Sequence, residues 1–183
     1  RKYSEILEID EATEEVFDFK WDGKGEHNEI LSGVYTYFAT LEDPAANFSD
    51  TMIGNLLVDI DAPFVNGVYA EPGVFSTKSD IDHTSIHYSI PEEGNVWINI
   101  HDSSGKLVTS LLAGTMESVG SHSVLWDGTD NSAHFLKDGY YSFKVFAKDL
   151  TGNEAATAES ILKIHSTPPS ILNLNVVPSE FSP

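Results

Sequence analysis

The chain repeats itself at long range. Trp21-Asp22-Gly23, Gly33-Val34-Tyr35 and Asp43-Pro44-Ala45-Ala46-Asn47 return as Trp126-Asp127-Gly128, Gly139-Tyr140-Tyr141 and Asp149-Leu150-Thr151-Gly152-Asn153. The two tryptophans stand 105 positions apart, and the pairs Gly33/Gly139, Asp43/Asp149 and Asn47/Asn153 stand 106 apart. Pro72 and Phe75-Ser76 recur at the same spacing as Pro178 and Phe181-Ser182. Such a period is the size of a whole domain, well above the roughly 20–50 residues of solenoid repeats. The chain therefore reads as a slice of a tandem array: the back part of one unit over residues 1–63, a complete unit over 64–169, and the first strand of a further unit over 170–183. Prolines at Ala62-Pro63 and Pro168-Pro169 end the last strand of each unit and predict a stiff crossing.

Charge narrows the range of partners. The 183 residues carry 29 Asp and Glu against 10 Lys and Arg, a net charge of −19. A phosphate backbone is held by clustered Lys and Arg, so nucleic acid is excluded as a ligand class. The absence of cysteine removes both a disulfide framework and a thiolate zinc site. No run of 18 apolar residues exists, so no part of this segment is expected to insert in a membrane.

Local patterning is dominated by period two. In Thr84-Ser85-Ile86-His87-Tyr88-Ser89-Ile90, Ile86, Tyr88 and Ile90 share one face, and Val96, Ile98 and Ile100 do so in Asn95–His101. Pro91-Glu92-Glu93-Gly94 and Asp102-Ser103-Ser104-Gly105 are turns. Strands follow at 106–112, 121–126, 139–148 and 155–165, with a looser connection expected over 114–120. Glu5–Glu15 has helix-favouring composition, but its place ahead of Trp21 predicts strand and loop. Short strands with turn signals every eight to twelve residues describe an all-β fold of tandem immunoglobulin-like or fibronectin III-like antiparallel sandwiches.

The order of Phe75-Ser76, Ile86–Pro91, Val96–Val108, Gly120–Gly128 and Asp138–Tyr141 resembles the immunoglobulin-like domain of the flagellar hook-capping protein. The resemblance covers nearly all of 72–165 and, more weakly, 16–63. It implies an extracellular or cell-surface scaffolding role in a prokaryote, since related modules recur in tandem in large bacterial surface proteins and beside the catalytic domains of secreted enzymes. Family members open with Phe-Ser-Pro-Asn and an acidic, Gly-rich loop suited to calcium. Here Thr77 and Lys78 follow Phe75-Ser76, and a lysine opposes a cation that wants six to eight oxygens. Any calcium site at Asp80 and Asp82 is expected to be weakened or lost.

Other side chains are weighed by what their spacing permits. His83 and His87 would be about 13 Å apart on a strand at roughly 3.3 Å per residue, too far to share a metal. Ser121 and His122 are adjacent and point to opposite faces, and no nucleophile elbow, Walker loop or His-Glu-x-x-His motif is present. Asp43 with Asn47 and Asp149 with Asn153 are expected to cap tight turns through backbone N–H groups. Asp59 and Asp61 are further calcium candidates at the first junction. Trp21 and Trp126 are expected to anchor the core or its rim. Trp97 lies opposite Val96 and Ile98 and, with Asn99 and His101, is a candidate binding surface for glycan or a neighbouring subunit.

The expected role is a non-catalytic extracellular spacer in a large repetitive surface or filament protein, requiring no cofactor. Its partners would be neighbouring repeats and other copies in a filament or surface layer. The alternatives are an accessory region of a secreted enzyme, such as a cell-envelope protease or polysaccharide-degrading enzyme, and an adhesin module.

Overall fold

A computed structural model describes residues 20–25 and 27–175; the expected strand and loop over Glu5–Glu15 lie outside them. Ten strands and no helix are found among the described residues. They are β1 Gly33–Ala39, β2 Met52–Val58, β3 Asn66–Glu71, β4 Val74–Phe75, β5 Thr84–Ile90, β6 Gly94–His101, β7 Leu107–Glu117, β8 Gly120–Trp126, β9 Gly139–Asp149 and β10 Ala158–Ile164. The chain divides into two compact units, Arg1–Ala62 with Asp149–Asn153, and Pro63–Lys148 with Glu154–Pro183.

The second unit is a two-sheet sandwich. One sheet has the order β4-β10-β9-β6-β7 and the other β3-β5-β8. The β3–β5, β5–β8, β6–β7 and β9–β10 pairs are antiparallel, while the two-residue β4 lies parallel to β10. Alternation dictates this arrangement, because every second residue of β5, β6 and β9 is apolar and only a second sheet can cover such a face. Ile86, Tyr88 and Ile90 of β5, Val96, Ile98 and Ile100 of β6, and Phe143 and Val145 of β9 are each at most 2% exposed and join one core with Trp126, Leu162 and Ile164.

β7 runs through Gly114 to Glu117, where the sequence suggested a connection. Its pairing with β6 shifts register three times, including between Val96 and Trp97. Gly114 adopts φ +86°, and a Cβ there would come within 2.9 Å of the Trp97 indole, so glycine serves both the bulge and the close approach. The final strand is shorter than expected, starting at Ala158.

The first unit contains the antiparallel β1–β2 hairpin, paired from Gly33↔Val58 to Ala39↔Met52. Pair by pair this register stands 106 positions before that of β9–β10, which runs from Gly139↔Ile164 to Val145↔Ala158. Local hydrogen bonds keep the same step. Tyr35 Oη donates to Leu31 O at 2.9 Å and Tyr141 Oη to Lys137 O at 2.8 Å, while the Ile60 amide donates to Ser32 Oγ and the Ser166 amide to Asp138 Oδ1. The outer face differs: Val34 opposite Leu57 and Phe38 opposite Ile53 are exposed where the second hairpin has Tyr140 opposite Lys163 and Lys144 opposite Glu159. Residues 170–175 carry no strand, and Ile171, Leu172 and Leu174 are 79–87% exposed.

Candidate functional site

Four loops share one construction. In each, an Asp amide donates to the carbonyl four residues on; at Asp43–Asn47, Asp102–Lys106 and Asp130–His134 the residue three on donates its amide to the Asp carbonyl, and at Asp149–Asn153 the Gly152 amide donates to Asp149 Oδ1 instead. The third residue after each Asp takes positive φ, at Ala46 (64°), Gly105 (83°), Ala133 (60°) and Gly152 (102°). The carboxylate fills the turn. Asp149 Oδ1 accepts from the Thr151, Gly152 and Asn153 amides at 2.6–2.8 Å and from Thr151 Oγ1, while Oδ2 accepts from Asn153 Nδ2. Asp43 accepts from the Ala45 and Asn47 amides and Asn47 Nδ2. These bonds are those of turn caps. The sequence singled out Asp43, Asn47, Asp149 and Asn153 but not Asp130, whose loop has Ala133 where Gly105 and Gly152 stand and, unlike the Asp43 loop with Ala46, no repeat partner to mark it.

Electrostatics follow from the caps. Burial acts to raise the Asp149 carboxyl, and the hydrogen bonds from Asn153, Thr151 and Gly152 outweigh it, holding the group down at about 2. The Asn47 side chain is the main cause of the lowered Asp43 value, and Ser104 of the lowered Asp102 value. Asp138, not singled out by the sequence, is also held at about 2, chiefly by the Thr167 hydroxyl and then the Ser166 amide. Its oxygens bind Ser166 N at 2.8 Å, Thr167 N at 3.0 Å and Thr167 Oγ1 at 2.6 Å, fastening the segment after β10.

Of the two tryptophans expected as anchors, Trp126 lies in the core and Trp21 is half-buried. Trp126 is 2% exposed and meets Phe75 and Tyr141 edge-on at 5.7 and 5.9 Å, with its Nε1 donating to Thr129 O at 3.0 Å. Trp21 meets Tyr35 edge-on at 5.0 Å and donates to Lys24 O at 2.8 Å. Gly128 is confined beside this pillar: at φ +81°, a Cβ would come within 2.8 Å of Thr77 Cγ2 and 3.2 Å of Phe75 and Ile164.

Trp97, Asn99 and His101 share the outer face of β6, each half-buried. The indole is stacked on Phe146 of β9 at 4.5 Å and 13°, and Asn99 Oδ1 accepts from Ser110 Oγ at 2.7 Å. Both groups are thus already engaged within the sheet.

Two of the calcium candidates, Asp82 and Asp59, are engaged by residues close in sequence. Asp82 Oδ1 lies 2.7 Å from His83 Nδ1, and Asp80 and Asp82 form no three-residue cluster with other His, Asp or Glu side chains among the described residues. Ser76 and Ser79 hydroxyls accept from the Lys78 and Ile81 amides in the same loop. Asp59 Oδ1 accepts from the Asp61 amide at 3.1 Å. A shallow cleft of about 450 Å³ opens between Asp82, His83, Leu125 and Asp127. His87 is occupied elsewhere, stacked on Tyr69 at 4.6 Å. His122 Nδ1 lies 3.1 Å from Glu117 Oε2, and Ser121 sits across from Ser89, so the adjacent Ser and His form no nucleophile–base pair.

Residues 77–150 match the family model described as the FlgD Ig-like domain. No curated protein matches the chain. Among solved structures, FlgD from P. aeruginosa is similar at 24% identity and TM-score 0.40, covering 55% of this chain and 73% of that one. Dimeric latent PorU from Porphyromonas gingivalis is similar at 18% identity and TM-score 0.47, covering 75% of this chain and 13% of that one. PorZ, described as a bacterial surface component of the type-IX secretion system of the same organism, is similar at 16% identity and TM-score 0.35, covering 54% and 11%. The second unit is an immunoglobulin-like β-sandwich.

Proposed function

We propose that the chain is a non-catalytic structural segment of a repetitive prokaryotic surface protein, in which tandem immunoglobulin-like sandwiches space other domains from the cell. The observation that carries this reading is the shared register of β1–β2 and β9–β10 at 106 positions, together with the matching tryptophan pillars and Asp-capped loops. The match of residues 77–150 to an Ig-like domain family supports the module's identity. A spacer needs self-contained domains, and Asp43, Asp149, Asn99 and Trp97, which sequence alone would nominate for binding, are engaged in turns and sheet contacts. No cofactor is required in this reading, and its partners are neighbouring repeats and other copies of the protein.

Light scattering and negative-stain imaging of the native protein, with and without a calcium chelator, test it. Extended particles with regularly spaced globules support the spacer, and chelator-sensitive polymers would assign the acidic loops a bridging role. A compact particle carrying hydrolase activity would move the chain to the accessory region of a secreted enzyme.

A further inference from the structure

Of the asparagines in the chain, only Asn66 is followed by glycine. The pair opens β3, an outer strand of the three-stranded sheet, hydrogen-bonded there to β5 alone. Pairing with β5 steps from Asn66↔Ser89 to Tyr69↔His87, so Gly67 and Val68 together face Tyr88 in a bulge. Gly67 takes φ +60°, and a Cβ placed on it would meet nothing within 4 Å. Both residues are exposed, and among the described residues no hydrogen bond holds the Asn66 carboxamide. Other asparagines are tied. Asn131, which precedes serine, has its Oδ1 bound by Thr109 Oγ1 at 2.8 Å and the Ser110 amide at 3.3 Å. Asn55, Asn99 and Asn153 bond to Thr36, Ser110 and Asp149.

Asparagine is among the thermolabile side chains, and here an unrestrained one adjoins a main-chain nitrogen that no Cβ shields. We propose that Asn66-Gly67 is a self-modifying site, at which the folded protein converts asparagine to isoaspartate through a five-membered succinimide. Base removes the Gly67 amide proton, and the nitrogen bonds to Asn66 Cγ. The Cγ–Nδ2 bond breaks, and ammonia leaves with a proton taken from water. A second water then adds to one of the two imide carbonyls and opens the ring, so the net exchange is water in and ammonia out, with no redox change. Opening at the main-chain carbonyl routes the backbone through Cγ, which lengthens it by one methylene and leaves a free carboxylate. Extra length and a new negative charge where β3 begins loosen its pairing with Ser89, at a sheet edge that has no second neighbour to hold it.

The test incubates the native protein at mildly alkaline pH and maps its peptides by mass spectrometry. Asn66 should convert at least about tenfold faster than Asn131, with isoaspartate the main product. Asn66→Gln, a change at an exposed position, should abolish the conversion and leave urea unfolding unchanged. Gly67→Ala should slow it, with the strain of a Cβ at this φ read separately from the thermal midpoint. In the converted protein, amide exchange should quicken in β3 and stay the same in β9. Conversion confined to protein unfolded in urea would overturn the proposal, because the folded bulge would then be keeping the two groups apart. Equal conversion at Asn66 and Asn131 would overturn it as well, and unchanged exchange in β3 would overturn the loosening of the edge.

Discussion

The single carboxylate of Asp149 satisfies more backbone donors than any other side chain described above, and its loss should be felt accordingly. Asp149→Ala leaves the Thr151, Gly152 and Asn153 amides without their acceptor, which is expected to cost about 1–3 kcal/mol in urea unfolding. Protonation acts on the same bonds. A carboxyl held below its unfolded value contributes stability above the unfolded pKa and loses it as pH falls through the folded one. With Asp149 and Asp138 both at about 2, the urea midpoint should decline between about pH 4 and pH 2, and a double Asn variant should flatten that decline. Ala133 offers a change of opposite sign. It holds φ 60° at the place where Gly105 and Gly152 stand in sister loops, so Ala133→Gly should stabilise by about 1 kcal/mol, read from the thermal midpoint. Asp149 was legible because Asx turns are local. Asp138 was not, because its partners Ser166 and Thr167 lie 28 and 29 residues away and no short-range pattern encodes them.

At the scale of the strand, alternation carried most of the information, and its failures have identifiable causes. β5, β6 and β9 were legible because period two is unbroken in each. β7 was not, because Gly114 interrupts the pattern while serving as the bulge that receives Trp97. The same local reading could place Trp97 on the outer face but could not find Phe146, which comes from a strand distant in sequence. Trp97→Ala should therefore lower stability by about 2 kcal/mol through lost stacking and packing, measured by denaturant unfolding. The hairpins provide a second comparison. Phe38 and Ile53 are 68% and 65% exposed as cross-strand partners where β9 and β10 place Lys144 and Glu159. Exposed apolar pairs on a sheet favour association. Phe38→Lys with Ile53→Glu should keep the hairpin's pairing and reduce aggregation, seen as lower light scattering at matched concentration.

Across the whole chain, alternation with turn signals made the all-β architecture legible, and the composition made its charge legible. What could not be read was the use of that charge. An excess of 19 negative charges invites a cation, yet charge composition does not say whether carboxylates converge. In the second unit Asp102 accepts from the Ser104 and Lys106 amides and the Ser104 hydroxyl, Asp130 from the Ser132 and His134 amides, and Asp82 is paired with His83. Calcium gains affinity by collecting six or more oxygens, and a carboxylate already accepting several N–H bonds has fewer lone pairs to offer. Its hydrogen bonds would have to break before it could turn toward a metal. The thermal midpoint of the second unit should consequently be the same in millimolar calcium and in excess chelator, measured by calorimetry at physiological salt. A rise with calcium that persisted in magnesium-matched controls would mean that these loops open to form a site, and that the acidic surface acts as more than solvation.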